Sequence, residues 1–153
     1  MKTSANGIGL IKLSEDCKLT AYLDSSKIPT IGYGHTGSVN GKPIVAGVTK
    51  ITQQQANDLL ANDLVQFENG INKTVTVKLN QNQFDALVSF SYNNGLGGLQ
   101  NLVKSSGLNQ GLYQDVPQHM IKYDKAIVNG ELVEIQGLRN RRIREISLWN
   151  KPC

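Results

Sequence analysis

The sequence predicts an α+β fold, and three observations predict it. The hydrophobic pattern is helical over residues 1–18, alternates with a period of two over 19–48, and becomes helical again over 52–150. Two of the later helix starts carry capping pairs, Thr52 with Gln55 and Asn80 with Gln83. Between the early strands stand turn signals, Ser25-Ser26-Lys27-Ile28-Pro29 and Asn40-Gly41-Lys42-Pro43.

Each element has a local reason. In the first helix Asn6 or Ser4 is a candidate N-cap, and Ile8 with Ile11 and Leu10 with Leu13 are apolar pairs at a spacing of three. It is expected to end near residues 16–18. Leu19, Ala21 and Leu23 then alternate with Thr20, Tyr22 and Asp24, the period of a half-buried strand. Thr30-Ile31-Gly32-Tyr33-Gly34-His35 reads as a second strand with glycines at alternate positions. The helix that begins at Thr52 presents Ala56, Leu59, Leu60, Leu64 and Phe67 on one face, with Ile51 and Ala56 as a staple and Gly70 as its stop. The next presents Phe84, Leu87, Val88 and Tyr92 and is expected to end at Gly95. A short helix over Leu99–Lys104, one from Asp115 with Pro117 in its first turn, a turn at Gly130, and a final helix over Leu138–Asn150 complete the reading. Ile143, Ile146 and Trp149 are its expected inner side. The expected arrangement is one domain over residues 1–153. A small β-containing lobe covers about 16–50, a larger helical lobe about 52–153 takes in the N-terminal helix, and a ligand cleft lies between them.

Composition excludes several classes. The chain is 39% hydrophobic and 18% charged, too apolar and too weakly charged for a disordered chain. No apolar run approaches the roughly 18 residues of a membrane span, and no signal peptide is read at the N-terminus. Two cysteines, Cys17 and Cys153, exclude a disulfide framework and a four-cysteine zinc site. Two histidines, His35 and His119, exclude a three-histidine metal site. A formal net charge of +4 favours anionic partners: nucleic acid, murein or teichoic acid, or anionic lipid.

The densest polar constellation lies between Glu15 and His35. Glu15 ends the first helix, where the macrodipole and any burial favour the acid form that a general acid needs. If the hairpin loop is Ser25–Pro29, Asp24 and Thr30 oppose each other, and a carboxylate and a hydroxyl at that range can hold one water. An acid on one side and a water-holding carboxylate on the other is the physical basis of glycoside hydrolysis. Bare spacing is weak, since twelve acidic residues offer many such pairs.

The surroundings are more specific. Glu15, Leu19-Thr20-Ala21-Tyr22-Leu23-Asp24, and Thr30-Ile31-Gly32-Tyr33-Gly34-His35-Thr36 resemble the phage lysozymes of glycoside hydrolase family 24. Gln83-Phe84-Asp85-Ala86-Leu87-Val88-Ser89-Phe90 with Asn93-Asn94-Gly95 resembles that family's central helix, and Gly137-Leu138 with Arg141, Arg142 and Glu145 its final one. The resemblance covers about residues 8–150. It implies a lysozyme-like fold and an endolysin that cuts the β-1,4 bond between N-acetylmuramic acid and N-acetylglucosamine in bacterial peptidoglycan. By position Glu15 is then the general acid, and Asp24 and Thr30 position the attacking water, which suits an inverting pathway. No metal or organic cofactor is implied. The resemblance also implies an arginine of the last helix, Arg141 or Arg142, paired with the catalytic glutamate. Two departures stand out: Asp16 follows Glu15 where the family often has glycine, and Lys27-Ile28-Pro29 precede Thr30 where the loop often carries one.

Further site residues have two readings each. Gly32 and Gly34 permit tight packing; in a cleft, Gly34 leaves room for a sugar ring and Thr36 lines the same groove. Tyr92 and Asn93 suit sugar faces and acetamido groups, or else helix-end packing and capping. His35 reads as a structural histidine bonded to a carboxylate or carbonyl rather than as a base. Arg139, Arg141, Arg142 and Arg144 read as a solvated helix surface, with Arg142 and Glu145 an i, i+3 pair, unless one of them supports the site. The expected partner is peptidoglycan, with no nucleic acid and no stable membrane anchor, and the protein is expected to be a monomer. It is expected to accumulate in the host cytoplasm and to reach the cell wall through a membrane lesion made by another protein. A lytic transglycosylase and a non-catalytic murein-binding module are the alternatives.

Overall fold

The computed structural model describes residues 1–153. It contains five helices, α1 (Ala5–Ser14), α2 (Gln53–Thr74), α3 (Gln81–Ser106), α4 (Val116–Met120) and α5 (Gln136–Asn150). Its seven short strands are β1 (Lys18–Leu23), β2 (Pro29–Gly32), β3 (His35–Thr36), β4 (Ser38–Val39), β5 (Lys42–Pro43), β6 (Lys125–Val128) and β7 (Glu131–Glu134). The fold is α+β. Two compact units divide the chain, residues 11–65 and residues 1–10 with 66–153. The divisions fall inside α1 and α2 rather than in the loop before Thr52.

In the unit of residues 11–65, β1, β2 and β3 form an antiparallel sheet in that order. The second strand expected over residues 30–35 is in fact a strand, a tight turn and a return. Gly32 and Gly34 take φ values of +66° and +93°, so the chain reverses and Ile31 pairs with His35. Only glycine adopts such angles without steric cost, which explains the alternate glycines. The outer edge of β1 bonds to the following segment: the Ala21 N–H donates to the Thr49 carbonyl at 2.9 Å and the Ile51 N–H to the Leu19 carbonyl at 2.9 Å. The core of this unit is Ile11, Ala21, Ile31, Tyr33, Ile44, Ile51, Ala56, Leu60 and Leu64. The Thr52 capping box forms as expected, with Thr52 N–H to Gln55 Oε1 at 2.8 Å and Gln55 N–H to Thr52 Oγ1 at 3.1 Å.

The other unit is built around α3. Its Asn80 cap and Gln83 bond reciprocally. Gly95 interrupts α3 at φ +76°, ψ 172°, after which helix resumes through Ser106 and stops at the left-handed Gly107. The helical expectation for Leu99–Lys104 was therefore too short. Gly70 does not stop α2, which continues to Thr74. A β-carbon there would lie 2.4 Å from Leu96 Cδ2, so glycine serves close packing against α3. Phe84, Leu87, Phe90, Leu99, Leu102, Leu108, Val116, Met120 and Trp149 fill the core. The inner side of α5 differs from expectation. Ile143 is half exposed, while Arg141, Arg142 and Glu145 are buried beside Trp149. The hairpin β6–β7 turns at Asn129 and Gly130, both at positive φ, the requirement of a tight type I′ turn.

The N-terminus is tied down by carboxylates. Glu68 accepts from the Thr3 backbone and hydroxyl at 2.7 and 2.6 Å. Asp85, fully buried, accepts from the Ser4 N–H at 3.0 Å, from the Ser4 hydroxyl and from Gln81 Nε2 at 2.8 Å. Negative groups at the start of a helix satisfy its unpaired N–H groups and complement its dipole. α1 ends at Ser14, earlier than residues 16–18, and Leu13 is exposed rather than part of an apolar face.

Candidate active site

Glu15 immediately follows α1, its N–H bonded to the Ile11 carbonyl at 2.8 Å, and its side chain is half-buried. That places a carboxyl at the negative end of a helix, as the sequence suggested. Asp24 opens the hairpin loop. Its Oδ1 accepts from the Ser26 and Ile28 N–H groups at 2.8 and 2.9 Å, while its own N–H donates to the Ile28 carbonyl at 3.0 Å. Oδ2 is left outside the loop's hydrogen bonds. The loop also holds Lys27 at φ +62°, a left-handed conformation that favours glycine. Lys27 bears that angle without being glycine, and Asp24 closes the turn around it.

The expected opposition of Asp24 and Thr30 is corrected by the register. Tyr22 pairs with Thr30, and Leu23 with Pro29. Asp24 belongs to the loop because its carboxylate closes the turn, which moves the strand pairs back by one step from the expected loop of residues 25–29. Thr30 is also paired on its other side with Thr36. Tyr22, Thr30 and Thr36 therefore form one row across the sheet, and cross-strand partners share a face. Thr30 is only 4% exposed, and its hydroxyl donates to the Ile28 carbonyl at 2.8 Å. With its proton so committed, Oγ1 is left as an acceptor. Thr36 and Gly34 are exposed.

Tyr22 links these groups electrostatically. Its phenol pKa is raised above the ordinary value of 10.0, first by burial and then by the negative charges of Glu15, Asp24 and Asp16. One tyrosine on β1 thus feels both carboxylates and stands in register with Thr30. Sequence reading passed over Tyr22, although it lies inside the motif.

His35 is held at both ring nitrogens. Nδ1 lies 2.8 Å from Asp63 Oδ2, and Nε2 lies 2.7 Å from the Ser38 carbonyl. Both contacts occupy its proton-transfer positions, and the one to Asp63 ties β3 to α2. No sequence signal singled out Asp63, which is one of several acids on a polar helix. Cys17 and Cys153 are free thiols, and the Cys17 Sγ contacts Gln53 Oε1 at 3.9 Å.

Tyr92, Asn93, Arg141 and Arg142 belong to the helical unit. Tyr92 meets Phe67 edge-on, with ring centroids 5.7 Å apart, and Asn93 is half-buried just before the break at Gly95. Arg142 is fully buried. Its Nε lies 2.6 Å from Glu145 Oε1, its Nη2 donates to Glu145 Oε2 at 3.0 Å and its Nη1 to the Tyr123 carbonyl at 3.2 Å. Its guanidinium also lies over the Phe90 ring, 5.2 Å from the centroid. Arg142 is thereby spent within its own unit, in the expected i, i+3 pair with Glu145, and the reading as a solvated surface is corrected for Arg141 and Arg142, which are buried. Arg141 donates to Glu145 Oε2 at 3.3 Å and to the Ser89 carbonyl at 3.1 Å. Burial pushes the Glu145 carboxyl above its ordinary value, opposed by the positive charge of Arg142, by the Ser89 hydroxyl at 2.5 Å and by Arg141.

Five helices and three small antiparallel sheets make this an α+β protein, with a half-buried carboxyl just past α1 and a loop-capping aspartate at the end of β1. The chain belongs to the phage lysozyme family, whose model matches residues 12–145. It is 40% identical to the endolysin of Salmonella phage P22 over 148 residues, covering 97% of this chain and 99% of that protein. It is 40% identical to the endolysin of Bacillus phage PZA over 153 residues, where it spans 55% of the relative's length. A solved endolysin from Escherichia coli O157:H7 phage FAHEc1 superposes with a TM-score of 0.88 at 39% identity, covering 98% of this chain and 94% of that one. Family membership makes this a peptidoglycan-degrading enzyme of the endolysin type.

Proposed function

We propose that the protein hydrolyses the β-1,4 bond between N-acetylmuramic acid and N-acetylglucosamine, and so lyses the host cell. The observation that carries this reading is the position of Tyr22, opposite Thr30 in the sheet and within the field of Glu15 and Asp24. It supports a single polar constellation of these residues in one unit.

In this reading Glu15 gives its proton to the glycosidic oxygen as the bond to the anomeric carbon breaks. A water donates one hydrogen to Asp24 Oδ2 and the other to Thr30 Oγ1, which leaves its lone pair for the anomeric carbon. Asp24 accepts the proton released on attack. The backbone N–H groups of Ser26 and Ile28 hold Asp24 through Oδ1 alone, which suits an orienting base. Attack from the face opposite the leaving group inverts the configuration. Gly34, exposed in the turn between β2 and β3, and Thr36, exposed on β3, contact the glycan, and His35 supports the site. No metal ion or organic cofactor takes part. The enzyme acts as a monomer, made in the host cytoplasm and acting on the wall after release.

The deciding experiment is digestion of purified peptidoglycan with analysis of the new termini. Hydrolysis with inversion releases reducing ends first in the α configuration. Anhydromuramic ends would instead identify a lytic transglycosylase, and intact glycan a binding module.

A further inference from the structure

We infer that a cavity between α3 and the turn that follows α4 binds a phosphate group, free or as an ester. The cavity has a volume of about 430 Å³ and is lined by Leu102, Ser105, His119, Lys122 and Tyr123. Leu102, fully buried, is its apolar lining. The four polar residues offer a hydroxyl, an imidazole, an ammonium and a phenol, all hydrogen-bond donors.

Three observations point to an anion. None of these four polar side-chain groups makes a hydrogen bond or ion pair within the protein, so their donors are uncommitted. No carboxylate lines the cavity, and the acid next in sequence, Asp124, is engaged by Lys125 and Arg139 at 2.9 Å each. Burial also raises the Tyr123 phenol above its ordinary value, so it keeps its proton at neutral pH. The surrounding charge agrees. The unit of residues 1–10 and 66–153 holds eleven basic and seven acidic residues, 11 − 7 = +4, whereas residues 11–65 hold five of each. The whole net charge of the chain thus sits on the unit with the cavity, and four of the seven acids there, Glu68, Asp85, Asp124 and Glu145, are buried. A phosphate presents three or more acceptor oxygens to the four donors, where a carboxylate presents two. The volume leaves room for an ester substituent.

The inference is independent of the hydrolytic reading, and its test reads binding. The full chain is titrated with inorganic phosphate, with glycerol 3-phosphate and with acetate, by calorimetry and by NMR of the two histidines. Saturable binding of a phosphate probe that moves the His119 ring resonances and leaves those of His35 unmoved is the expected result. Lys122→Gln, at an exposed position, should weaken it about tenfold, the loss of one charge-assisted hydrogen bond. Lys73→Gln, an equal charge change elsewhere on the unit, should leave it unchanged. Tighter binding of glycerol 3-phosphate assigns the site to an ester, and tighter binding of inorganic phosphate assigns it to the free ion. Unmoved His119 resonances, equal loss in both lysine variants, or acetate binding as tight as phosphate would overturn the inference.

Discussion

Tyr22 and Thr30 are direct partners across β1 and β2, and the phenol of Tyr22 is held above its ordinary pKa partly by Glu15 and Asp24. The pairing makes Tyr22 a reporter of the candidate site. Removing the charge of Glu15 should lower the Tyr22 pKa. NMR titration of Glu15→Gln against wild type checks this, and an unchanged tyrosine would separate Glu15 from the constellation. The same variant should lose lysis of chloroform-treated Gram-negative cells while melting within a few degrees of wild type.

The loop-capping of Asp24 and its proposed role as a base are separable. Asp24→Asn keeps an oxygen acceptor for the Ser26 and Ile28 N–H groups but loses the charge. It should fold normally, with lytic activity reduced about a hundredfold or more, the scale of a lost general base. Asp24→Ala should lose activity and also lower the melting temperature, since both loop N–H groups lose their acceptor. Equal melting of the two variants would contradict the capping role.

Gly7 is buried where α1 meets Asp85. A β-carbon there would lie 2.7 Å from Asp85 Cγ and 2.7 Å from Thr3 Cγ2. Gly7→Ala gains about 1 kcal/mol of helix propensity. It must nonetheless displace a fully buried carboxylate that holds Ser4 and Gln81, and overpacking of this kind costs about 1–3 kcal/mol. Net destabilisation in urea is expected. Leu60→Ala, at a side chain 2% exposed, should cost about 2–5 kcal/mol by leaving a cavity.

Asp124 gives a pH dependence of known sign. Lys125, followed by Arg139, holds its carboxyl below the ordinary 3.8, against the opposing effect of burial. A depressed folded-state value means stability that is fully present above the unfolded value and is lost as pH falls through the folded one. Asp124→Asn should therefore flatten the acid limb of a melting-temperature profile below about pH 4. An acid limb identical to wild type would show that Asp124 does not contribute.

Much of the architecture was legible because it rests on local physics. The capping pairs at Thr52 and Asn80, the α+β order and the β6–β7 turn each depend on residues within a few positions of one another. The motif around Glu15, Asp24 and Thr30 was legible for the same reason, as its members lie in one short stretch on one unit. Gly70 and Gly95 look alike in sequence, and only packing separates them: the first lies against Leu96 inside a continuous helix, and the second takes a non-helical angle. Register was likewise hidden, since Asp24 closes its own loop and thereby gives Thr30 to Tyr22.

The sequence alone determined the α+β order of a helix, a strand region and a run of helices, and the starts of α2 and α3, because backbone capping and strand alternation act over a few residues. Tertiary structure decided the rest. It buried Arg141, Arg142 and Glu145 on α5, tied His35 to Asp63, and gathered Ser105, His119, Lys122 and Tyr123 around one cavity. These outcomes depend on which distant groups can satisfy a charge or fill a volume, and no local pattern carries that information.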